Sequence, residues 1–373
     1  MSDILDKIFN SHKVKYATME LLFQDVEVHK MISRVNVFIN LESIFHLFHN
    51  TMMENMVHSM DKGETAEFYV SCISNAINLA AHYRRFFTKN RIKSNIILFM
   101  CGYDEESKQN NQMYVDTYRE KFIYNYTENP NYTLLNELFF SAFRSIKNVA
   151  EYIEDVHLVK STRVESSLIP LVLLDQKVLD GQINIMVSRD TYDLQYTSKG
   201  FLVLFPKGES SVLVTKDNLF RVLRNKYEFK GDRDLPSYLL SFILAVTGDK
   251  KRNLGKLKGV SWKKVYSDLC KLFKKLDIDE DEYVGFEAVA GCIKTNPNDE
   301  DDKRQKLINN YLCIDLDRQL GMVSEPQAME ITSQLINRYE VDTLENLNST
   351  KFALAPINVI ELNQYSAKRK SLF

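Results

Sequence analysis

The segment from Asp249 to Lys275 carries the clearest chemistry in the chain. It holds ten Lys or Arg residues against two acids, a net of +8. Lys250, Lys251 and Arg252 follow the pair Gly248-Asp249. Gly255, Lys256, Lys258 and Gly259 come next, and Lys263 and Lys264 open a second helical stretch. An apolar helix, a glycine-containing turn and a lysine-rich helix in succession offer backbone N–H and ammonium groups to a phosphate backbone. Gly255 and Gly259 let the turn be tight. Neutralising several phosphates in this way makes affinity fall steeply with salt. A solvated lysine-rich helix face is the plain alternative. A second basic cluster, Arg84, Arg85, Lys89, Arg91 and Lys93, has no acid between residues 81 and 98. It either extends a phosphate-contacting surface or complements the negative end of a helix.

Other chemistries find little support. There is no GxxxxGK[ST] loop, no GxGxxG after a strand, no HExxH and no GxSxG elbow, which excludes the common nucleotide cradles, zinc peptidases and α/β-hydrolases. His46 and His49 sit three apart on one predicted helix; a metal pair is conceivable, but a structural role is the stronger reading. Five cysteines without a CxxC pair fit a reducing compartment rather than a zinc site or a disulfide framework.

The elements that must position such residues follow from periodicity. Short apolar runs at 35–40, 95–100, 156–159 and 184–188 read as buried strands, and 200–205 with 211–215 suggest two more. Helical patterns occupy 42–57, 64–88, 134–150 and 165–180, and nearly everything after about 216. Strands alternating with helices predict an α/β fold with a parallel sheet of about five strands flanked by helices. In such sheets sites form at the carboxyl ends of the strands, which places Asn40, Cys101, Glu165 and the run Ser188 to Asp193 at the candidate site. The polar stretch 296–302 reads as a loop.

The whole chain has 373 residues with 48 basic and 50 acidic side chains, a net charge of -2. That balance removes the crude argument that a basic chain binds nucleic acid. It conceals a dipole: after the +8 segment, residues 277–302 carry ten acids against Lys294. The amino terminus lacks a basic-then-apolar leader pattern, and the most apolar stretch, 235–246, is too short to span a bilayer. A soluble, cytoplasmic chain without a membrane segment is expected. Scarce Gly and Pro beside abundant Asn, Lys and Tyr suggest an AT-rich coding source such as a phage or a low-GC bacterium.

Four segments resemble a known family in order and spacing. Gly248-Asp249 through Asn253-Leu254 and Gly259-Val260-Ser261 is similar to the helix–three-turn–helix signature GDxSDNIPGVxGIGxKTA of the flap-endonuclease-like 5′-nucleases. The run from Ser188 to Tyr196 resembles their SGDKDLLQL, Val164 to Ile169 their VEADDVI, and Phe38 to Ser43 their LIDGS. The tail around Leu307 to Tyr339 also looks like phage members related to the phage ribonuclease H. The resemblance covers about residues 35–275.

It implies a PIN-like parallel sheet and hydrolysis of phosphodiesters by two magnesium ions held by several carboxylates. At the matched positions this chain has Asn40, Cys101 (with Asp104 displaced), Ser166, Ser167, Tyr192 and Arg252 where the family pattern has acids. Asp193 falls one residue out of register and is expected to point elsewhere. Glu165, Asp190 and Asp249 remain, enough for one weakly bound Mg2+ or Mn2+ or for none; as plain residues they would be hydrogen-bond partners, with Asp190 and Asp249 capping helical turns.

The expected organisation is a PIN-like α/β domain at 1–230, a helical domain with the helix–three-turn–helix element at 231–323, and a C-terminal helix and tail at 324–373. The leading functional expectation is a catalytically degenerate, DNA-binding accessory or scaffold in a phage or replication-related assembly. It would hold double-stranded or branched DNA through Lys250, Lys251, Arg252, Lys256, Lys258, Lys263 and Lys264. An active Mg- or Mn-dependent 5′-3′ nuclease and a purely structural subunit of a viral complex are the alternatives. The acidic, tyrosine-rich segment 103–132 favours a protein contact over a threaded strand. The basic tail ending in Leu372-Phe373 resembles sliding-clamp-binding peptides.

Overall fold

Val35, Val37 and Ile39 alternate with Asn36, Phe38 and Asn40, so a strand here must bury both faces. The structure is a computed structural model that describes residues 19–24, 30–41, 43, 62–101, 145–150, 153, 155–161, 163–207, 210–227, 234–249, 254–277, 283–292 and 300–336. Within them the strands are β1 (Arg34–Asn40), β2 (Lys93–Cys101), β3 (Val156–Ser161), β4 (Ile183–Val187), β5 (Leu202–Lys207) and β6 (Ser210–Val214). They form one six-stranded sheet in the order β3-β2-β1-β4-β5-β6. The first five run parallel and β6 is antiparallel to β5. The expected parallel sheet thus gains a sixth, reversed strand. Two residues separate Lys207 from Ser210, room for a hairpin and not for a crossover.

The two faces carry separate cores. Val35, Val37, Ile39, Ile96, Leu98 and Val187 face α1 (Met19–Gln24) and α2 (Lys62–Lys89). In α2 the buried residues Ile73, Ala76, Ala80, Tyr83 and Phe87 recur at helical spacing and form one stripe. Phe38, Ile97, Phe99, Val159 and Met186 face the opposite core. That core is built by α3 (Ile169–Asp175), α4 (Leu219–Tyr227), α5 (Leu239–Thr247), α6 (Trp262–Leu276), α7 (Phe286–Gly291), α8 (Glu300–Ile314), α9 (Leu316–Leu320) and α10 (Glu325–Ile336).

Two polar devices set the sheet's register and edge. Asn95, Asn36 and Asn184 are cross-strand partners on β2, β1 and β4. Asn95 Nδ2 donates to Asn36 Oδ1 at 2.8 Å and Asn36 Nδ2 to Asn184 Oδ1 at 2.9 Å. A one-residue slip would strand these buried amides against apolar neighbours. The edge strand β3 is covered by α10. Gln334 on that helix both accepts from the Lys160 N–H (2.9 Å) and donates to the Lys160 carbonyl (2.7 Å), pairing the edge as a neighbouring strand would.

Several expectations change. The helix expected at 165–180 is a 3₁₀ turn, Ser166–Leu168, followed by the short α3, with Pro170 in its first turn. The chain leaves it through Lys177 at φ 55°. Residues 300–302, read as loop, begin α8, where acids complement the helix dipole. Apart from Ser43, the helix expected at 42–57 with His46 and His49 lies outside the described residues, as do the segment 103–132 with Asp104 and the tail beyond 336. Among the described residues no helix is long and apolar enough to cross a membrane.

Candidate functional site

Asn40 ends β1 and Ser188 follows β4. The strands are parallel neighbours, so both residues stand at the carboxyl edge of the sheet. After Ser188 the chain turns at once: Asp190 Oδ1 accepts from the Tyr192 N–H at 3.1 Å, and the Asp193 N–H donates to the Asp190 carbonyl at 3.2 Å. Residues Tyr192–Lys199 then form a 3₁₀ helix. In that geometry side chains three apart nearly eclipse. Asp193 therefore turns inward and is fully buried, a correction to the expectation that it points elsewhere. Asn40 Nδ2 donates to Asp193 Oδ2 at 2.9 Å, and Ser188 Oγ donates to the same oxygen at 2.5 Å. Ser43 closes the set, its N–H donating to Asn40 Oδ1 at 3.1 Å and its Oγ lying 2.9 Å from Ser188 Oγ.

Glu165 is buried just before the 3₁₀ turn Ser166–Leu168, and its carbonyl accepts from the Leu168 N–H at 2.9 Å. Ser166 and Ser167 are buried with it. Asp190 is half-buried. Asp249, expected to cap a helical turn, instead follows Gly248, the C-cap of α5, and its backbone pairs with Leu254. The cap of α6 is Ser261, whose side chain accepts from the Lys264 N–H. Among the described residues no three His, Cys, Asp or Glu side chains come together as a metal site, so Glu165, Asp190 and Asp249 are not assembled into one ligand set. Ser161, also at this edge, spends its hydroxyl on the Val164 N–H at 3.0 Å.

The basic turn follows α5, which packs on the 3₁₀ helix. Gly248 (φ 74°) reverses the chain, and a Cβ there would sit 2.4 Å from the Leu254 carbonyl oxygen. The Asp249 N–H donates to that carbonyl at 3.1 Å, and the Leu257 N–H donates to the Val246 carbonyl at 2.9 Å. Leu254, Leu257 and Val260 are buried, which leaves Gly255, Lys256, Lys258 and Gly259 on the outside. Gly259 takes φ 76°. In α6, Val265, Tyr266, Leu269 and Phe273 face the core, while Lys263 and Lys264 are exposed. Lys250, Lys251 and Arg252 lie outside the described residues, as does the side chain of Cys101.

Two contributors were not foreseen. Asn310 on α8 donates to the carbonyls of Ala245 (2.8 Å) and Gly255 (3.0 Å), stapling the turn to its helix. Lys306, one turn earlier, lies so close over Gly255 that a Cβ there would be 2.9 Å from its Nζ, which adds a cation to the face. Both were hidden because they come from a helix some fifty residues away. The second basic cluster sits elsewhere. Lys89, Arg91 and Lys93 are exposed at the amino end of β2, roughly 30 Å from its carboxyl end at about 3.3 Å per residue.

No protein-family model and no curated protein matches the sequence. Solved structures do match. The bacteriophage T5 D15 flap endonuclease, in a pseudo-enzyme–product complex with DNA and metal ions, is 12% identical over 83% of this chain and 100% of its own, with a TM-score of 0.50. T5 D15 protein co-crystallized with metal ions is 11% identical over 82% of this chain and 100% of its own, also at 0.50. The chain has a flap-endonuclease-like 5′-nuclease fold.

Within this 5′-nuclease fold the described donor set does not fit a pair of divalent cations. Cations of that kind need several converging anionic oxygens. Here a neutral amide N–H donor and a hydroxyl both point at Asp193 Oδ2. Ser166 and Ser167 bring no charge. The two donors offset part of the cost of burying the Asp193 carboxylate.

Proposed function

We propose that this chain is a nucleic-acid-binding 5′-nuclease-like protein that holds DNA without cleaving it, as an accessory or scaffold in a replication-related assembly. The observation that carries the non-cleaving half is the pairing of Asp193 with Asn40 and Ser188, which puts two hydrogen-bond donors where the chemistry needs a cation. The binding half rests on the outward-facing Lys256, Lys258, Lys263 and Lys264 around a turn fixed by Gly248, with Lys306 beside it. Lys250, Lys251 and Arg252 belong to the same segment of sequence. The T5 flap endonuclease of like fold was solved with DNA, which supports the choice of partner.

The test is fluorescence anisotropy of a labelled duplex across a salt series. Replacing Lys256, Lys258 and Lys263 together by Ala should weaken binding and reduce the slope of log affinity on log salt by about 2.7, at about 0.9 per lost phosphate contact. An unchanged slope and affinity would refute the binding face. In parallel, 5′-flap and nicked duplexes incubated with Mg2+ or Mn2+ should remain intact. Turnover that disappears in Asp190→Ala would establish a working nuclease instead.

A further inference from the structure

A cleft of about 320 Å3 opens between the 3₁₀ helix Tyr192–Lys199 and the start of α5, walled on its far side by α8 and α9. Three tyrosines, Tyr238, Tyr283 and Tyr311, line it among polar and charged side chains. Tyr283 is 72% exposed and leans on Tyr238 with ring centroids 5.1 Å apart and planes 39° apart. Tyr238 is fixed in turn, its hydroxyl accepting from the Val284 N–H at 2.8 Å. Opposite, Tyr311 packs against Phe286 with ring centroids 4.7 Å apart and planes tilted by 40°, and carries the Arg318 guanidinium 5.6 Å from its centroid.

The cleft's charges cancel. Lys199 pairs with Asp317, and Asp315 caps α9 by accepting from the Arg318 N–H at 3.1 Å. Two cations and two carboxylates leave no net attraction for a phosphate. Hydroxyls line the rest: Ser198 donates to the Gln195 carbonyl (2.7 Å), and Ser241 donates to that of Tyr238 (3.0 Å) and lies beside the Tyr311 hydroxyl. An exposed ring with a free face, a neutral interior and a rim of hydrogen-bonding groups match a heterocyclic base rather than a phosphate or an apolar chain.

We infer that this cleft receives one unpaired nucleobase of a tailed or branched DNA, stacked on Tyr283. The inference rests on the DNA-binding reading above and adds a second contact of a different kind. The two are joined by α5, which starts at the cleft wall and ends at the Gly248 turn. Its nine residues span about 14 Å at about 1.5 Å each, or roughly four nucleotide steps at about 3.4 Å. The lysines hold phosphates of the duplex and the cleft holds a base of the strand that leaves it.

The experiment compares three labelled DNAs of equal charge per tail: a blunt duplex, the same duplex with a six-nucleotide tail, and one whose tail is abasic. The tail should strengthen binding only when it carries bases. Tyr283→Ala should remove that gain, a loss of about 5- to 100-fold for one stacked base, and leave the blunt duplex unaffected. Tyr283→Phe should retain it. The Lys256/Lys258/Lys263 triple variant should weaken all three DNAs together, so failure of the binding face and failure of the cleft read out differently. Quenching of tyrosine fluorescence by free deoxyadenosine monophosphate, lost in Tyr283→Ala, would support the cleft even if no duplex bound and would show that a free base suffices. Equal binding of normal and abasic tails without such quenching overturns the inference, as does a Tyr283→Ala variant that leaves the base-dependent gain intact.

Discussion

Asn40→Asp is the sharpest perturbation of the carboxyl-edge site. The change is nearly isosteric and preserves the acceptor for the Ser43 N–H, but it removes the donor that faces Asp193 Oδ2 at 2.9 Å. A buried hydrogen bond to a charged group contributes about 1.5–3 kcal/mol, and two carboxylates at that separation repel or must share a proton. The variant should therefore lose about 1.5–3 kcal/mol of stability in EDTA. The same two carboxylates form half of a cation site. Mn2+ or Mg2+ should therefore raise the variant's Tm, by about 2.7 kcal/mol of stabilisation at a hundred times its Kd, while leaving the parent unmoved. The swapped double variant Asn40→Asp/Asp193→Asn restores one donor and one carboxylate and should regain most of the stability without a metal, a coupling that a double-mutant cycle measures directly. Thermal unfolding of the four proteins in EDTA and in Mn2+ decides it. The reasoning is falsified if Asn40→Asp is as stable as the parent in EDTA and indifferent to Mn2+.

Two further outcomes follow from the helical part. Gly248→Ala should destabilise the chain by about 1–3 kcal/mol, because φ 74° and a Cβ 2.4 Å from the Leu254 oxygen leave it no unstrained place; duplex affinity should drop with it although every lysine remains, and retained affinity would show that the turn does not position the basic face. Burial, with Asp268 nearby, pushes the Cys292 thiol up to about 11 from 9.0, and burial likewise raises the hydroxyls of Tyr266 and Tyr311, the latter beside Asp315. Each is an acid whose folded form keeps its proton longer than the unfolded chain does. Their contribution is whole below about pH 9 and is lost as pH rises through the folded values, so Tm should decline above about pH 9, and a flat profile to pH 11 would contradict the burial of these groups.

Much of the fold was legible in the sequence, and the reasons are local. Apolar runs such as Val35 to Asn40 and Asn95 to Met100 carry their own strand signal, and their alternation with helices implies parallel pairing. The glycine turn and lysines at 248–264 were legible because they are contiguous. What stayed hidden depends on residues distant in sequence or on backbone geometry that periodicity does not encode. Asn36, Asn95 and Asn184 look like interruptions in apolar strands until cross-strand register makes them partners. Asn310 and Lys306 join the turn only through the packing of α8 on α5.

Asp193 is the most instructive case, because motif matching by position set it aside. Register in a motif presumes a fixed number of residues per turn. Here the chain winds as a 3₁₀ helix after Asp190, with three residues per turn, and the acid that a strict alignment calls misplaced is the one aimed at Asn40. The substitutions are then linked. A carboxylate at position 40 beside a buried Asp193 would demand a cation, whereas Asn40 and Ser188 remove that demand by donating N–H and O–H. The neutral donors at 40 and 188 are what meets Asp193 Oδ2 at the edge of the sheet. The proposed binding face, built from lysines on an outer turn, makes no call on that interior charge.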